Sequence, residues 1–234
     1  MMVKNADHAR KKMHEKTYAN SGDKAIADLF VKSFGGGKYC LDVGCGAGGN
    51  AALLLKNGWT VDGITISANE ASIASLACGE IWIHNLETGL PKTIKPETYD
   101  VILASHVLEH IFYPDQLLSD CWRSLKPGGG FVVVLPNLLY WKNRVKIALG
   151  RFDYQNVGIM DYTHCRWYTL KTAKALLNNS GFEVTMVVAD GQFIGGKLRR
   201  LFPDKAMQYM DFLFQRIAPG LAAFQMYFVA KKKT

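Results

Sequence analysis

The sequence lacks the features that mark secreted or membrane-spanning proteins. Its five cysteines are odd in number and include no pair at Cys-x-x-Cys spacing, which favours reduced thiols over disulfides. Uninterrupted apolar runs are short, as at Phe131 to Leu135, whereas a helix needs about 20 apolar residues to span a bilayer. The charged first 16 residues include no apolar segment and do not resemble a secretory signal. We therefore expect a cytoplasmic protein.

The composition also excludes disordered, collagen-like and disulfide-scaffold proteins. Of the 234 residues, 49% are hydrophobic and 21% are charged, which is typical of a globular chain with a substantial core. We expect a single domain over residues 1–234.

Positive charge is concentrated towards the C-terminus. The net charge is +8, and residues 191–234 hold eight Lys and Arg against two Asp. This excess favours contact with an anionic acceptor or a membrane surface. The alternative is a basic surface that only aids solubility.

Apolar strand-like segments alternate with helix-like segments along the chain. The pattern includes a helix over Asp7–Phe34 and a buried strand over Phe131–Leu135. Such alternation predicts an α/β fold with a doubly wound, mostly parallel sheet. Residues 136–168 and 191–219 break the alternation, and we interpret them as cap or substrate-binding insertions.

A glycine-rich turn after the first strand is the most informative motif. Leu41 to Gly49 leads from a strand through glycines into a helix, an arrangement that lets backbone amides approach a ligand. Its glycines also satisfy the Gly-x-Gly-x-x-Gly pattern of dinucleotide-binding proteins. Asp42, two residues before the first glycine, favours a ligand that carries an ammonium group over a pyrophosphate.

Three ordered motifs resemble those of class I S-adenosylmethionine-dependent methyltransferases: Leu41–Gly49, Tyr99–His110 and Leu125–Gly130. The resemblance covers roughly residues 10–190, and nearly the whole chain with the last strand. It implies a seven-stranded sheet in the order 3-2-1-4-5-7-6, with strand 7 antiparallel. It also implies that S-adenosylmethionine is the cofactor and that methyl transfer is the activity.

The resemblance implies cofactor contacts at the ends of the first four strands and from an aromatic residue in the first helical segment. The expected residues are Asp42, Gly44, Cys45, Gly46, Gly48, Thr65, Ile66, Asn85, Leu86, Ser105 and Tyr18.

Two positions depart from the family pattern. Thr65 replaces the ribose-binding acid, and Asn85 replaces the acid on the adenine side. Neutral hydrogen bonds are weaker than charged ones, so we expect weak cofactor binding for the fold. The Gly-x-Thr-x-Ser segment also resembles active enzymes of the cyclopropane fatty acid synthase branch, so Thr65 does not indicate a dead site.

Three histidines are candidate general bases for methylation of a hydroxyl: His106, His110 and His164. Each has an alternative as a structural histidine that bonds to the cap backbone or to Glu109. Glu109 and His110 also resemble a metal-assisted subset of quinone O-methyltransferases. Two ligands are too few for a site, so we predict no metal.

The cap segments suggest an acceptor. Residues 136–152 and 163–169 resemble methionine-biosynthesis-associated bacterial methyltransferases and relatives found with cell-surface polysaccharide enzymes. Arg144, Arg151 and Arg166 are candidates for binding an anionic acceptor, or they pair with local acids. The apolar segment Ala206–Ile217 lies at a membrane face, roofs an apolar pocket, or packs against the sheet or a second copy in a homodimer.

We therefore expect a methyltransferase for a small-molecule, sugar or lipid-linked acceptor, with O-methylation favoured. The alternative is a non-catalytic, cofactor-binding accessory subunit. A nucleic-acid substrate is disfavoured because the sequence has no base-flipping tetrapeptide such as Asn-Pro-Pro-Tyr.

Overall fold

The computed structural model describes residues 22–192 and 196–233 of the chain. The strands are β1 (Tyr39–Val43), β2 (Thr60–Thr65), β3 (Ile81–Ile83), β4 (Tyr99–Ser105), β5 (Leu125–Pro136), β6 (Phe182–Asp190) and β7 (Gln225–Lys232). The α-helices are α1 (Lys24–Phe34), α2 (Gly49–Lys56), α3 (Ala68–Ala74), α4 (Pro114–Ser124), α5 (Trp141–Ala148), α6 (Leu170–Asn179), α7 (Asp204–Ile217) and α8 (Pro219–Ala222). Short 3₁₀ helices lie at Leu86–Thr88, Leu108–His110 and Gly196–Leu201.

The seven strands form one sheet in the order β3-β2-β1-β4-β5-β7-β6. Strand β7 is antiparallel to both β5 and β6, and the pairs among β1 to β5 are parallel. The predicted fold class, strand order and direction of the seventh strand are confirmed.

Helices cover both faces of the sheet, so the central strands are apolar on both sides. In β4, Val101 and Leu103 pack with α1 and α2, whereas Ile102 and Ala104 pack with α4 and α6. All four residues are at most 1% exposed. This double burial explains why β4 and β5 are continuous apolar runs rather than alternating ones.

Two elements differ from their predicted bounds. Within the described residues, the helix predicted over Asp7–Phe34 begins only at Lys24, because Asp23 is extended and its side chain caps the helix by accepting from Ala25 N. Residues 7–21 lie outside the described part of the chain. Strand β5 begins at Leu125 rather than Phe131, since Leu125 pairs with Tyr99 ahead of an irregularity in the β4–β5 ladder.

The parallel strands all point their carboxyl ends to one edge of the sheet, where ligands bind in open α/β folds. The segment between β5 and α6 returns to this edge: Asn137 and Tyr168 form an isolated bridge, and the Asn137 amide donates to the carbonyls of Gly220 and Ala223. In the described parts of the chain, no helix is long and apolar enough to cross a membrane.

Candidate active site

The glycine turn between β1 and α2 follows one tightly constrained path. Gly44, Gly46 and Gly48 have φ angles of 79°, 53° and 82°, a region that glycine adopts without strain. The Gly44 amide donates to the Ile64 carbonyl at 2.9 Å, which ties the turn to the end of β2. A Cβ atom at Gly44 would lie 2.5 Å from Cγ2 of Val107. The turn therefore needs glycine at position 44, and its predicted binding residues lie at the carboxyl edge as expected.

The thiol of Cys45 does not belong to the ligand-facing side of this turn. It is buried beside Gly63, next to the thiol of Cys78. The hydrogen bond with Cys78, together with burial, raises the pKa of Cys45. Only the Cys45 backbone is therefore available to a ligand.

Asp42 is a buried carboxylate at the end of β1, 1% exposed. Within the part of the chain that the structure describes, neither of its oxygens has a hydrogen-bond partner. Desolvation by burial raises the pKa of Asp42 from 3.8 to about 7. A buried carboxylate is costly without a partner, and a bound cationic group would satisfy it.

A second buried carboxylate, Glu70, was missed by the sequence analysis. The Thr65 hydroxyl donates to Glu70 Oε2 at 2.9 Å, and in the described residues Glu70 Oε1 has no partner. Oε1 would lie 3.9 Å from a Cβ atom at Gly46, so this carboxylate reaches the glycine turn. A carboxylate from the first turn of α3, five residues later, thus lies beside Thr65, where the sequence has no acid.

A sequence signal for Glu70 was present but pointed elsewhere. Ser67 is the N-cap of α3 and its hydroxyl accepts from Glu70 N at 3.4 Å, which fits the Ser-x-x-Glu capping pattern. That pattern predicts that the Glu70 carboxylate accepts from the backbone amide of Ser67 at the helix N-terminus. In the structure the carboxylate turns inward to Thr65 instead.

The predicted adenine-side residues follow β2 and β3. Ile66 is half-buried directly after β2, and Leu86 is half-buried in the 3₁₀ helix after β3. The Asn85 side chain caps that helix, because its Oδ1 accepts from Glu87 N at 3.0 Å. The oxygen that would accept from the adenine amino group therefore already has a partner. Tyr18 lies outside the described residues.

His106 follows Ser105 at the end of β4 in an unusual backbone conformation. Its φ is 55°, a left-handed value that is strained for a side-chain-bearing residue and typical of functional sites. Its Nδ1 lies 3.1 Å from Oε1 of the fully buried Glu109. The His106 side chain is 44% exposed. Desolvation lowers its pKa, but the hydrogen bond and charge of Glu109, with Gln225 and Asp23, outweigh this and raise the pKa above its ordinary value.

His110 and His164 also lie beside Glu109, and His164 Nε2 is 4.0 Å from Glu109 Oε1. Their rings are 4.8 Å apart, and each Nδ1 bonds to a backbone carbonyl, of Thr163 at 3.2 Å and Ile159 at 3.0 Å. His164 is 9% exposed, and burial lowers its pKa below 6.5. The His110 bond therefore fastens the cap segment to the Leu108–His110 turn, whereas the His164 bond lies within the cap and its ring packs against His110.

Glu109, His110 and His164 form a group of metal-ligand type. Their ligand atoms lie within 4.8 Å of one another. Ligands on one ion with bonds near 2.1 Å are about 3–4 Å apart, so this group is wider than a formed metal site. The absence of a metal remains a prediction.

A cavity of about 450 Å³ lies between α5, residues 155–160 and the ends of β6 and β7. Gln225 lies close to both the cavity and His106, because its side chain donates to Asp190 in the cavity wall at 3.1 Å and also contributes to the raised pKa of His106. The wall holds both polar and aromatic side chains: Tyr140, Lys142, Asn143, Lys146, Gln155, Asp190 and Phe224.

The three arginines expected to bind an acceptor do not line this cavity. Arg144 donates to the Leu139 carbonyl, and Arg166 donates to the Phe112 carbonyl. Arg151 pairs with Asp153 at 3.4 Å on the surface. The lysines of α5 line the cavity instead, and sequence spacing alone could not distinguish them.

A family model described as a methyltransferase domain matches residues 13–187. The chain belongs to this methyltransferase family. The family and the strand order together make it an S-adenosylmethionine-dependent methyltransferase, as the motifs predicted.

Curated relatives of the methyltransferase include two bacterial ubiquinone biosynthesis O-methyltransferases. The protein of Klebsiella pneumoniae is 35% identical over 40% of each chain. That of Pseudomonas savastanoi is 34% identical over 40% of this chain and 42% of its own. The match thus spans less than half the length of these relatives.

Solved structures similar to the methyltransferase share its fold over most of the chain. A SAM-dependent methyltransferase of Archaeoglobus fulgidus has a TM-score of 0.60 at 18% identity, covering 89% of this chain and 92% of its own. One from Thermotoga maritima has a TM-score of 0.61 at 18% identity, covering 92% and 91%. At this identity the likeness shows the fold alone.

Proposed function

We propose that the methyltransferase transfers the methyl group to a hydroxyl of an anionic small-molecule, sugar or lipid-linked acceptor. The observation that carries the proposal is the His106–Glu109 pair at the end of β4, with Gln225 close to both the histidine and the cavity wall.

The residues at the glycine turn fit S-adenosylmethionine. This cofactor carries an ammonium group and a ribose diol, and Asp42 and Glu70 are buried carboxylates with unpartnered oxygens in the described residues. Asp42 would accept from the ammonium, and Glu70 with Thr65 would accept from the diol. When bound, the cofactor supplies a methyl group already activated on a sulfonium.

His106 would act as the general base. The neutral imidazole accepts the proton of the acceptor hydroxyl, and the buried Glu109 carboxylate stabilises the imidazolium that results. The left-handed backbone conformation of His106 sets the position of its imidazole ring. We assign His164 to positioning the cap, because it is 9% exposed and burial lowers its pKa, and we assign His110 to the same role because its ring bonds to the cap backbone and packs on His164.

The cavity favours an acceptor with a carboxylate or phosphate group. Lys142 and Lys146 line it, and Asn143 Nδ2 is a buried donor with no partner in the described parts of the chain. An anionic oxygen would satisfy this donor and attract both lysines. The Tyr140 and Phe224 rings, 5.8 Å apart, supply an apolar wall beside these groups.

The relatives support the choice of oxygen as the methylated atom, because two of them are named O-methyltransferases. The narrower resemblance to methionine-biosynthesis-associated and polysaccharide-cluster methyltransferases supports a bacterial small-molecule or sugar acceptor. It remains a prediction.

The test uses purified full-length protein, radiolabelled S-adenosylmethionine and a panel of hydroxyl acceptors, including 3,4-dihydroxybenzoate and the neutral catechol. We expect label on the anionic members, and a loss of about 10²–10⁴-fold in kcat for His106→Gln. The matched control, His84→Gln, changes a histidine after β3 and should leave kcat unaltered. Labelling of amines or thiols but not hydroxyls, or full activity of His106→Gln, would overturn the proposal.

A further inference from the structure

The helix α7 is fastened to the domain along one side. Met207 and Asp211 face inward, and Asp211 pairs with Arg199 at 2.8 Å. Gln215 donates to the Gly191 carbonyl at 2.7 Å, beyond the end of β6. This side therefore fixes which face of the helix is turned outward.

The outward face of α7 and the turn before it expose large apolar side chains. Tyr209 and Phe212 are 61% and 55% exposed, and Ile217 is 78% exposed. We call this surface the α7 face, and its apolar members are Leu201, Phe202, Tyr209, Met210, Phe212 and Ile217. Scattered exposed apolar residues are ordinary, but a contiguous group on one helix marks an interaction surface.

The charges on the α7 face are positive. Lys205 and Arg216 are exposed on the same side as Tyr209, and Arg200 is exposed in the preceding turn. The acids of the helix lie elsewhere: Asp211 faces inward, and Asp204 stands at the first residue, where a carboxylate complements the helix N-terminus. An apolar stripe flanked by basic residues is the pattern of helices that lie flat in the interface of anionic bilayers.

We infer that the α7 face docks the enzyme on an anionic membrane surface, with the helix parallel to the bilayer. The apolar side chains enter the boundary between headgroups and acyl chains, while Lys205, Arg216 and Arg200 meet the anionic headgroups. A second copy of the chain is the competing occupant of this apolar surface, and the test includes that outcome.

The docked helix stands beside the acceptor cavity. Gly191, which accepts from Gln215, lines that cavity together with Gln192. The cavity would then lie directly behind the docked helix, about 10 Å from the membrane surface, which favours a lipid-linked acceptor among the classes proposed. Only this last step rests on the proposed function.

The test is flotation of the full-length protein with vesicles of phosphatidylcholine alone and with vesicles containing about a third phosphatidylglycerol. We expect binding to the anionic vesicles only, weakened by salt. The double variant Lys205→Gln/Arg216→Gln should lose about 25-fold in affinity, roughly fivefold per charge. Phe212→Ser/Ile217→Ser should lose at least about tenfold.

The matched control is Leu55→Ser/Leu76→Ser, which changes exposed leucines on and after other helices and should bind like the unaltered protein. No binding to anionic vesicles, or equal loss in the control, would overturn the inference. So would light scattering that shows a dimer in the absence of lipid, dissociated by Phe212→Ser/Ile217→Ser. Titration with S-adenosylhomocysteine is run on every variant, so that failure of docking is told apart from failure of the cofactor site.

Discussion

The carboxylate of Glu70 should determine how tightly the cofactor binds. In Glu70→Gln the side-chain oxygen can still accept from Thr65, but the charge is lost. Charged hydrogen bonds contribute about 1.5–3 kcal/mol and neutral ones about 1 kcal/mol. The difference, about 0.5–2 kcal/mol, predicts a Kd for S-adenosylhomocysteine raised about 2- to 30-fold. Glu70→Ala removes the acceptor altogether and should raise Kd about 10- to 150-fold.

Calorimetric titration of the purified variants measures these changes. Glu80→Gln is the matched control, because it removes the same charge just before β3, at the amino edge of the sheet. The contact is assigned by repeating the titration with an analogue that lacks both ribose hydroxyls. The unaltered protein should lose affinity for the analogue, whereas Glu70→Ala should bind it as it binds the parent compound.

Equal affinity of the unaltered protein, Glu70→Gln and Glu70→Ala for S-adenosylhomocysteine, with unchanged thermal unfolding, would refute the assignment of Glu70 to the ribose. Equal losses of Glu70→Ala for both ligands would place the effect elsewhere, in the packing of α3 against the glycine turn. A large rise in Kd for Glu70→Ala would also remove the reason for expecting weak cofactor binding. That expectation assumed that no carboxylate replaces the one missing at position 65.

Three further predictions concern protonation and the glycine turn. Glu109→Gln should shift the rising limb of the pH dependence of kcat/KM to lower pH, because Glu109 holds the pKa of His106 above its ordinary value; an unshifted limb would contradict His106 as the base. Asp42, with a pKa of about 7, should make the cofactor-free protein lose up to about 4 kcal/mol of unfolding free energy as pH rises from ~4 to ~7, because the folded state retains a proton that the unfolded state has lost. Urea unfolding across this range should show the loss in the parent protein and not in Asp42→Asn, and cofactor binding below pH ~7 should release a proton, seen as heats that depend on the buffer. Gly44→Ala should cost about 2–4 kcal/mol in urea unfolding through positive φ and steric overlap, whereas Gly128→Ala, with φ of 70° but open space, should cost about 1–2 kcal/mol.

The sheet could be predicted from the sequence because its determinants are local. Apolar runs such as Val101–Ala104 and glycine turns such as Gly44–Gly48 encode burial and chain reversal within a few residues. Strand order followed from the family motifs, and the structure agrees with it.

The site was less predictable because its side chains meet across the fold. Glu70 carried a local capping pattern, and only the path of α3 brings its carboxylate to Thr65. The sequence does not show which basic side chains of the cap face the cavity. In the structure the packing of α5 turns Lys142 and Lys146 to the cavity and leaves Arg144 bonded to the Leu139 carbonyl. The exposure of the α7 face likewise depends on how Asp211 and Gln215 attach the helix.

The attachment of the cap has a consequence for engineering. The amides of Cys165 and Arg166 both donate to the carbonyl of Glu109, the residue whose carboxylate holds His106. The segment that would select the acceptor is therefore hydrogen-bonded directly to the turn that would orient the proposed base, so a change in one is expected to move the other. Exchanging residues 137–168 with those of a relative would transplant a new specificity only together with the Leu108–His110 turn, and a graft of the cap alone should disturb the reaction as much as the choice of acceptor.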